Sequence, residues 1–81
     1  MTKRFKVVSV KECSSMQIKD PYNISGRECT VATEGVHVGG VAYMLFDDLN
    51  ITTSTIKDVL TTERGMHIQT LNTIYYLEEV K

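Results

Sequence analysis

Two histidines and two cysteines, His37, His67, Cys13 and Cys29, are the side chains of this sequence best suited to hold a metal ion. Structural zinc draws thiolates and imidazoles from close pairs on a knuckle or a helical turn. Each candidate here lies on a different segment and no C-x-x-C pair occurs, so no metal is expected. A thiol nucleophile would need an adjacent base and a pocket, and nothing in the spacing supplies either. Asp47-Asp48 has the chemistry of an acid/base pair or a divalent-ion ligand, but neighbours on a turn point apart into water. Gly39-Gly40 lacks the following lysine and the strand-to-helix setting of a phosphate-cradling loop. The expectation is a protein that is not an enzyme, with no catalytic residue and no cofactor.

The residues better matched to a function are those that make contacts. Four tyrosines, Tyr22, Tyr43, Tyr75 and Tyr76, and three cations outside the basic N-terminal cluster, Arg27, Lys57 and Arg64, are the expected binding residues. Tyrosine combines a large apolar ring with a polar tip, which suits protein and small-ligand contacts alike. Tyr75 and Tyr76 are adjacent in an extended run, so they face opposite ways and one is expected to be exposed or in an interface. Tyr22 sits in a polar loop and is not expected in the core. Lys3, Arg4 and Lys6 around Phe5 suggest a surface for stacking bases. Nine basic against ten acidic residues and a net charge of −1 make nucleic acid the less favoured partner.

These residues are carried by a chain that reads as mainly β. Lys3–Lys11 is a first strand, apolar on both faces in places and therefore central. From Glu12 to Gly26 the pattern dissolves into turn formers, including the one proline, Pro21. Arg27–Thr33 alternates again, with Cys29 and Val31 on one face. Glu34-Gly35 turns the chain, and Val36-His37-Val38 is expected to pair briefly. Residues 41–49 fit both helical spacing and a short buried strand; strand is favoured, with a short helix as the alternative. Two β-rich runs then flank Glu63-Arg64-Gly65, the mark of a hairpin. Met66, Ile68 and Thr70 share one face of the second run, and His67, Gln69 and Leu71 the other. Asn72 interrupts this run as a bulge or bend. The expected fold is a small antiparallel sheet or SH3-like barrel of five to six short strands, in one domain spanning residues 1–81.

The 81 residues are 42% hydrophobic and 23% charged, too apolar for a disordered chain. A chain this short buries little core, which favours a homo-oligomer. Residues 1–30 hold six basic and three acidic side chains and the remainder three and seven. Either the two signs intermix on folding, or they form opposed patches that help copies pair. The longest apolar run, Val41–Phe46, is far shorter than the ~20 residues of a membrane helix. The basic start, broken by Ser9 and Lys11, does not make a signal peptide. A cytoplasmic protein with free thiols and no membrane contact is expected.

Thr53-Ser54-Thr55-Ile56, the hairpin after it, and Thr70-Leu71-Asn72-Thr73-Ile74-Tyr75 together resemble a pattern in many very small phage-encoded proteins. Those show Thr-Ser-x-Val/Ile, a short hairpin, and Thr-x-Asn-Ser/Thr-x-Tyr. The resemblance covers residues 52–79. It implies a compact β fold and a phage accessory protein, of the kind that counters bacterial immunity by blocking a host protein or sequestering a nucleotide signal. No site residue is carried over from it. The expected function is stoichiometric binding of a host protein in counter-defence or host takeover. The alternatives are a sponge for a nucleotide-derived immune signal held in a pocket between subunits, and a small nucleic-acid-binding regulator.

Overall fold

The computed structural model describes residues 2–80. Seven antiparallel strands form one open sheet: β1 (Thr2–Glu12), β2 (Glu28–Ala32), β3 (Tyr43–Leu45), β4 (Asn50–Thr52), β5 (Ile56–Thr61), β6 (Gly65–Thr70) and β7 (Thr73–Glu79). Their order is β4-β3-β2-β1-β7-β6-β5, which puts β1 at the centre as its two-sided apolar pattern predicts. The only helical element among the described residues is a 3₁₀ turn, Thr33–Gly35.

Two details depart from the sequence reading, and at residues 41–49 the favoured strand forms and not the alternative helix. There are seven strands and not five or six, because Leu71-Asn72 is a tight turn that ends β6 and starts β7. Residues 41–49 contain no helix: Tyr43–Leu45 is a strand, and Asp47-Asp48 turns it into β4. Val36-His37-Val38 does not pair, since the 3₁₀ turn lifts the chain out of the sheet ahead of it.

With no α-helix among the described residues to cover it, the apolar face of the sheet must cover itself. Phe5, Val7 and Val10 of β1, Cys29 and Val31 of β2, Met44, Ile51, Ile56, Ile68 and Leu77 all point into the roll and are buried. Two register shifts help to bend the sheet. Val8 is an extra residue on β1, so that Val7 faces Leu77 while Ser9 faces Tyr76; Lys57 is the corresponding extra residue on β5. Such bulges sharpen the local twist and swing a side chain to the other face. The bulge at Val8 explains why Val7 and Val10 are both buried although three positions apart.

The two edge strands, β4 and β5, are consecutive in the chain and separated only by Thr53–Thr55. β4 pairs with β3, and the run continues along the same segment: the Thr53 N–H donates to the Ala42 carbonyl at 2.9 Å and the Ile56 N–H to the Gly40 carbonyl at 2.8 Å. Only then does β5 cross to β6. The corner is fixed by the buried Thr53 hydroxyl, which accepts from the Ala42 N–H and donates to the Ser54 carbonyl, both at 2.9 Å. Thr70 does the same at the β6–β7 turn, accepting from the Thr73 N–H and donating to its carbonyl.

The long segment between β1 and β2 is tied down rather than loose. Lys11 bridges Ile18, and Ile24 is buried in the core. Asp20 organises the turn that delivers Ile24, its carboxylate accepting from the N–H groups of Ile24 (3.0 Å) and Ser25 (2.7 Å). Partial burial disfavours the charged form and by itself would raise the pKa of this carboxyl. The backbone donors Ile24, Ser25 and Asn23 and the Ser25 hydroxyl outweigh that, holding it below its ordinary value.

Two tests follow from the fold. Gly65 sits in β6 where a Cβ would fall 2.1 Å from the Leu77 carbonyl oxygen. Gly65→Ala must therefore push β6 from β7, and urea denaturation is expected to show a loss of about 3 kcal/mol or more. The depressed Asp20 carboxyl stabilises the fold above the ordinary carboxylate range, and that stability is lost as pH falls through its lowered value. Asp20→Asn should be less stable than the parent at neutral pH, with the gap closing on acidification. A gap independent of pH would remove the charge-based role.

Candidate binding face

On the outer surface of the roll, the register aligns one row across four strands. Leu60 of β5 faces His67 of β6, His67 faces Tyr76 of β7, and Tyr76 faces Ser9 of β1 beside the bulged Val8. Val8 and Leu60 are 54% and 57% exposed. The His67 and Tyr76 rings meet edge to face, 4.6 Å between centroids at 60°. Lys11 places its ammonium 5.2 Å from the Tyr76 centroid, a cation–π contact.

Around Tyr76 the surface is concave. A groove of about 570 Å³ is lined by Val8, Ser9, Lys11 and Tyr76, with Thr62, Glu63, Arg64 and Glu78 toward the β5–β6 turn. Its middle is apolar and aromatic; its ends carry Lys11 on one side and Arg64 with two carboxylates on the other. Neither Lys11 nor Arg64 has an ion-pair partner among the described residues. An apolar centre with a charged rim is the anatomy of a contact surface.

Of the residues expected to bind, this face unites Tyr76 and Arg64. Tyr75 points inward and packs partly buried against the core, and Tyr76 on the opposite face is half-buried, so neither ring is fully exposed; burial, then Tyr22 nearby, raises the Tyr75 phenol above the usual value. Tyr22 is exposed on the β1–β2 segment. Arg27 is engaged elsewhere, in an ion pair with Asp48 and 5.2 Å over the Phe46 ring. Tyr43 lies exposed on β3, beyond β1 and β2 from the groove, and Lys57 is exposed at the β5 bulge. Tyr22, Tyr75, Arg27, Tyr43 and Lys57 therefore do not belong to the groove. Sequence reasoning missed Val8, Lys11 and Leu60 as site residues and weighed His67 only as a metal ligand; what joins them is register, not spacing.

Other arrangements are ruled on by geometry. Phe5 is buried, so the basic cluster around it offers no ring for base stacking. Ser9 and His67 are separated by the whole of β7, about 10 Å at ordinary strand spacing, and form no catalytic pair. No three His, Cys, Asp or Glu side chains among the described residues gather as metal ligands. No described helix is long and apolar enough to cross a membrane. The two signs of charge intermix, with Arg27–Asp48 and Lys3–Glu79 joining the basic and acidic parts of the chain.

Cys29 is buried opposite Phe5, and burial pushes its thiol up to about 11 despite nearby Arg4. Cys13 is half-buried past the other end of β1, its Sγ donating to the Thr70 carbonyl at 3.5 Å; both thiols are free.

No protein-family model, curated protein or solved structure matches the chain.

The thiols give a check on this packing. A disulfide-exchange reagent at neutral pH should label Cys13 first, with Cys29 reacting only as fast as the sheet opens. Equal rates for the two would contradict the burial of Cys29.

Proposed function

We propose that this protein is a non-enzymatic phage accessory protein that acts by stoichiometric binding of a host protein, in counter-defence or host takeover. The phage setting comes from the resemblance over residues 52–79. The binding role is supported by one observation: the row Leu60–His67–Tyr76–Val8, apolar and aromatic, lies on the outer face with Leu60 and Val8 exposed and the two rings half-buried between them, and is bordered by charged side chains. A sheet face meant only for water carries polar groups at such positions. Tyr76 is the anchor of the surface, since a rigid ring in a concavity loses little freedom on binding. Val8 and Leu60 extend the apolar area, and Lys11 and Arg64 select partner side chains of negative charge.

A second reading draws on the groove itself. Its ≈570 Å³ is large enough for a small ligand, and a base stacked on Tyr76 would have Lys11 or Arg64 available for phosphate oxygens. This is the nucleotide-signal sponge.

Tagged protein with Val8→Glu tests both. Val8 is exposed, so the variant should keep its melting temperature within a few degrees. It should lose a one-to-one host complex that the parent captures, with affinity reduced about 30-fold or more. Undiminished capture would remove the proposed face. Stabilisation of the parent by saturating cyclic nucleotides or ADP-ribose derivatives, lost in Tyr76→Ala, would move the assignment to the sponge.

A further inference from the structure

The free edge of β5 is complementary to itself. Backbone groups on a strand alternate sides, and three bonds fix the phase here. Ile56 faces away from β6, donating to Gly40 and accepting from the Gly39 N–H at 2.9 Å. Thr62 faces β6, donating to the Gly65 carbonyl at 2.9 Å. The Val59 N–H is turned outward and donates at 3.0 Å to the carboxylate of its neighbour Asp58. Val59 and Thr61 therefore present their N–H and C=O groups to the outside, and no backbone partner reaches them among the described residues. The same stretch is exposed from Lys57 to Arg64 except for Val59, whose side chain packs partly against the core.

We propose that β5 is a self-association edge, on which two copies of this chain pair antiparallel about a twofold axis at Leu60. That axis satisfies the hydrogen-bonding phase: Val59 of each copy lies opposite Thr61 of the other, and each such pair exchanges two backbone bonds. Leu60 faces Leu60 of the second copy at a non-hydrogen-bonded position, where side chains are closest. The side chain that is 57% exposed in a single copy thereby gains an apolar neighbour. The charges fit the same register. Lys57 lies at the bulge near the start of β5 and Glu63 in the turn just past its end, so the antiparallel arrangement brings the lysine of one copy to the end of the strand that carries the glutamate of the other, twice by symmetry. Asp58, released from the Val59 N–H, comes opposite the Thr62 hydroxyl. Shifting the axis to Val59 instead sets Asp58 against Leu60 and leaves Glu63 without its lysine.

Pairing would also place the two outer rows end to end. Leu60–His67–Tyr76–Val8 of one copy would continue through the axis into the same row of the other, doubling the contact face. The inference does not rest on the partner-binding reading.

Sedimentation velocity over micromolar concentrations is expected to show a dimer that dissociates on dilution. Lys57→Glu or Glu63→Lys alone should weaken it about tenfold, and the two together in one chain should restore it. Leu60→Cys should form a disulfide-linked dimer on mild oxidation, since directly opposed residues at such a position lie within disulfide reach. Val8→Glu, remote from the axis, should sediment like the parent. A parent that stays monomeric throughout, a dimer that survives Leu60→Lys, or a double charge reversal that fails to restore pairing would each overturn the proposal.

Discussion

A single sheet has two faces, and this chain has no helix among its described residues to hide one of them. Every other feature follows from the need to bury that face against itself. Flat, seven strands would leave the side chains of Phe5, Met44 and Ile68 in water; rolled, they meet in one core. The roll is made by local chemistry at a few points: the extra residues Val8 and Lys57, and the hydroxyl of Thr53 at the corner between the two edge strands. Each turns an otherwise regular ladder, and the buried polar atoms they introduce are all hydrogen-bonded.

This separates the residues that make the fold from those offered to a partner. Thr53 and Thr70, which carry the resemblance to small phage proteins, are buried and spend both hydroxyl functions on nearby backbone. They pin corners. The outer row draws only in part on that stretch: Leu60, His67 and Tyr76 lie within residues 52–79 but are not among the residues of the two motifs, and Val8 and Lys11 come from the first strand. Two proteins sharing the threonines would share a shape and be free to differ in what they bind.

Much of the architecture was legible in the sequence because burial alternates along β2 and along β6 after its first residue. Met66, Ile68 and Thr70 are buried as their spacing required, and Cys29 and Val31 likewise. What period two does not encode is where an extra residue enters. Val8 reads as one more valine in an apolar strand, yet the bulge sends it outward. Asn72 reads as a flaw in one strand and is in fact half of a turn between two. The site was legible only in Tyr76 and Arg64, since His67, Lys11 and Leu60 become its neighbours through pairings that span the chain. Arg27 looked available because nothing local signals the ion pair with Asp48, which the fold brings from the β3–β4 turn.

The position of β1 between β2 and β7 has a consequence for how the molecule forms. Val7 is aligned with Leu77, roughly 70 residues further along, so the centre of the sheet is a contact of nearly maximal sequence separation. The local hairpins β3–β4, β5–β6 and β6–β7 can assemble early, but the strand that joins them to β2 has no second neighbour until β7 exists. On the ribosome, the opening strand must wait, half-paired and with an apolar face showing, for nearly the whole of the described chain to be synthesised.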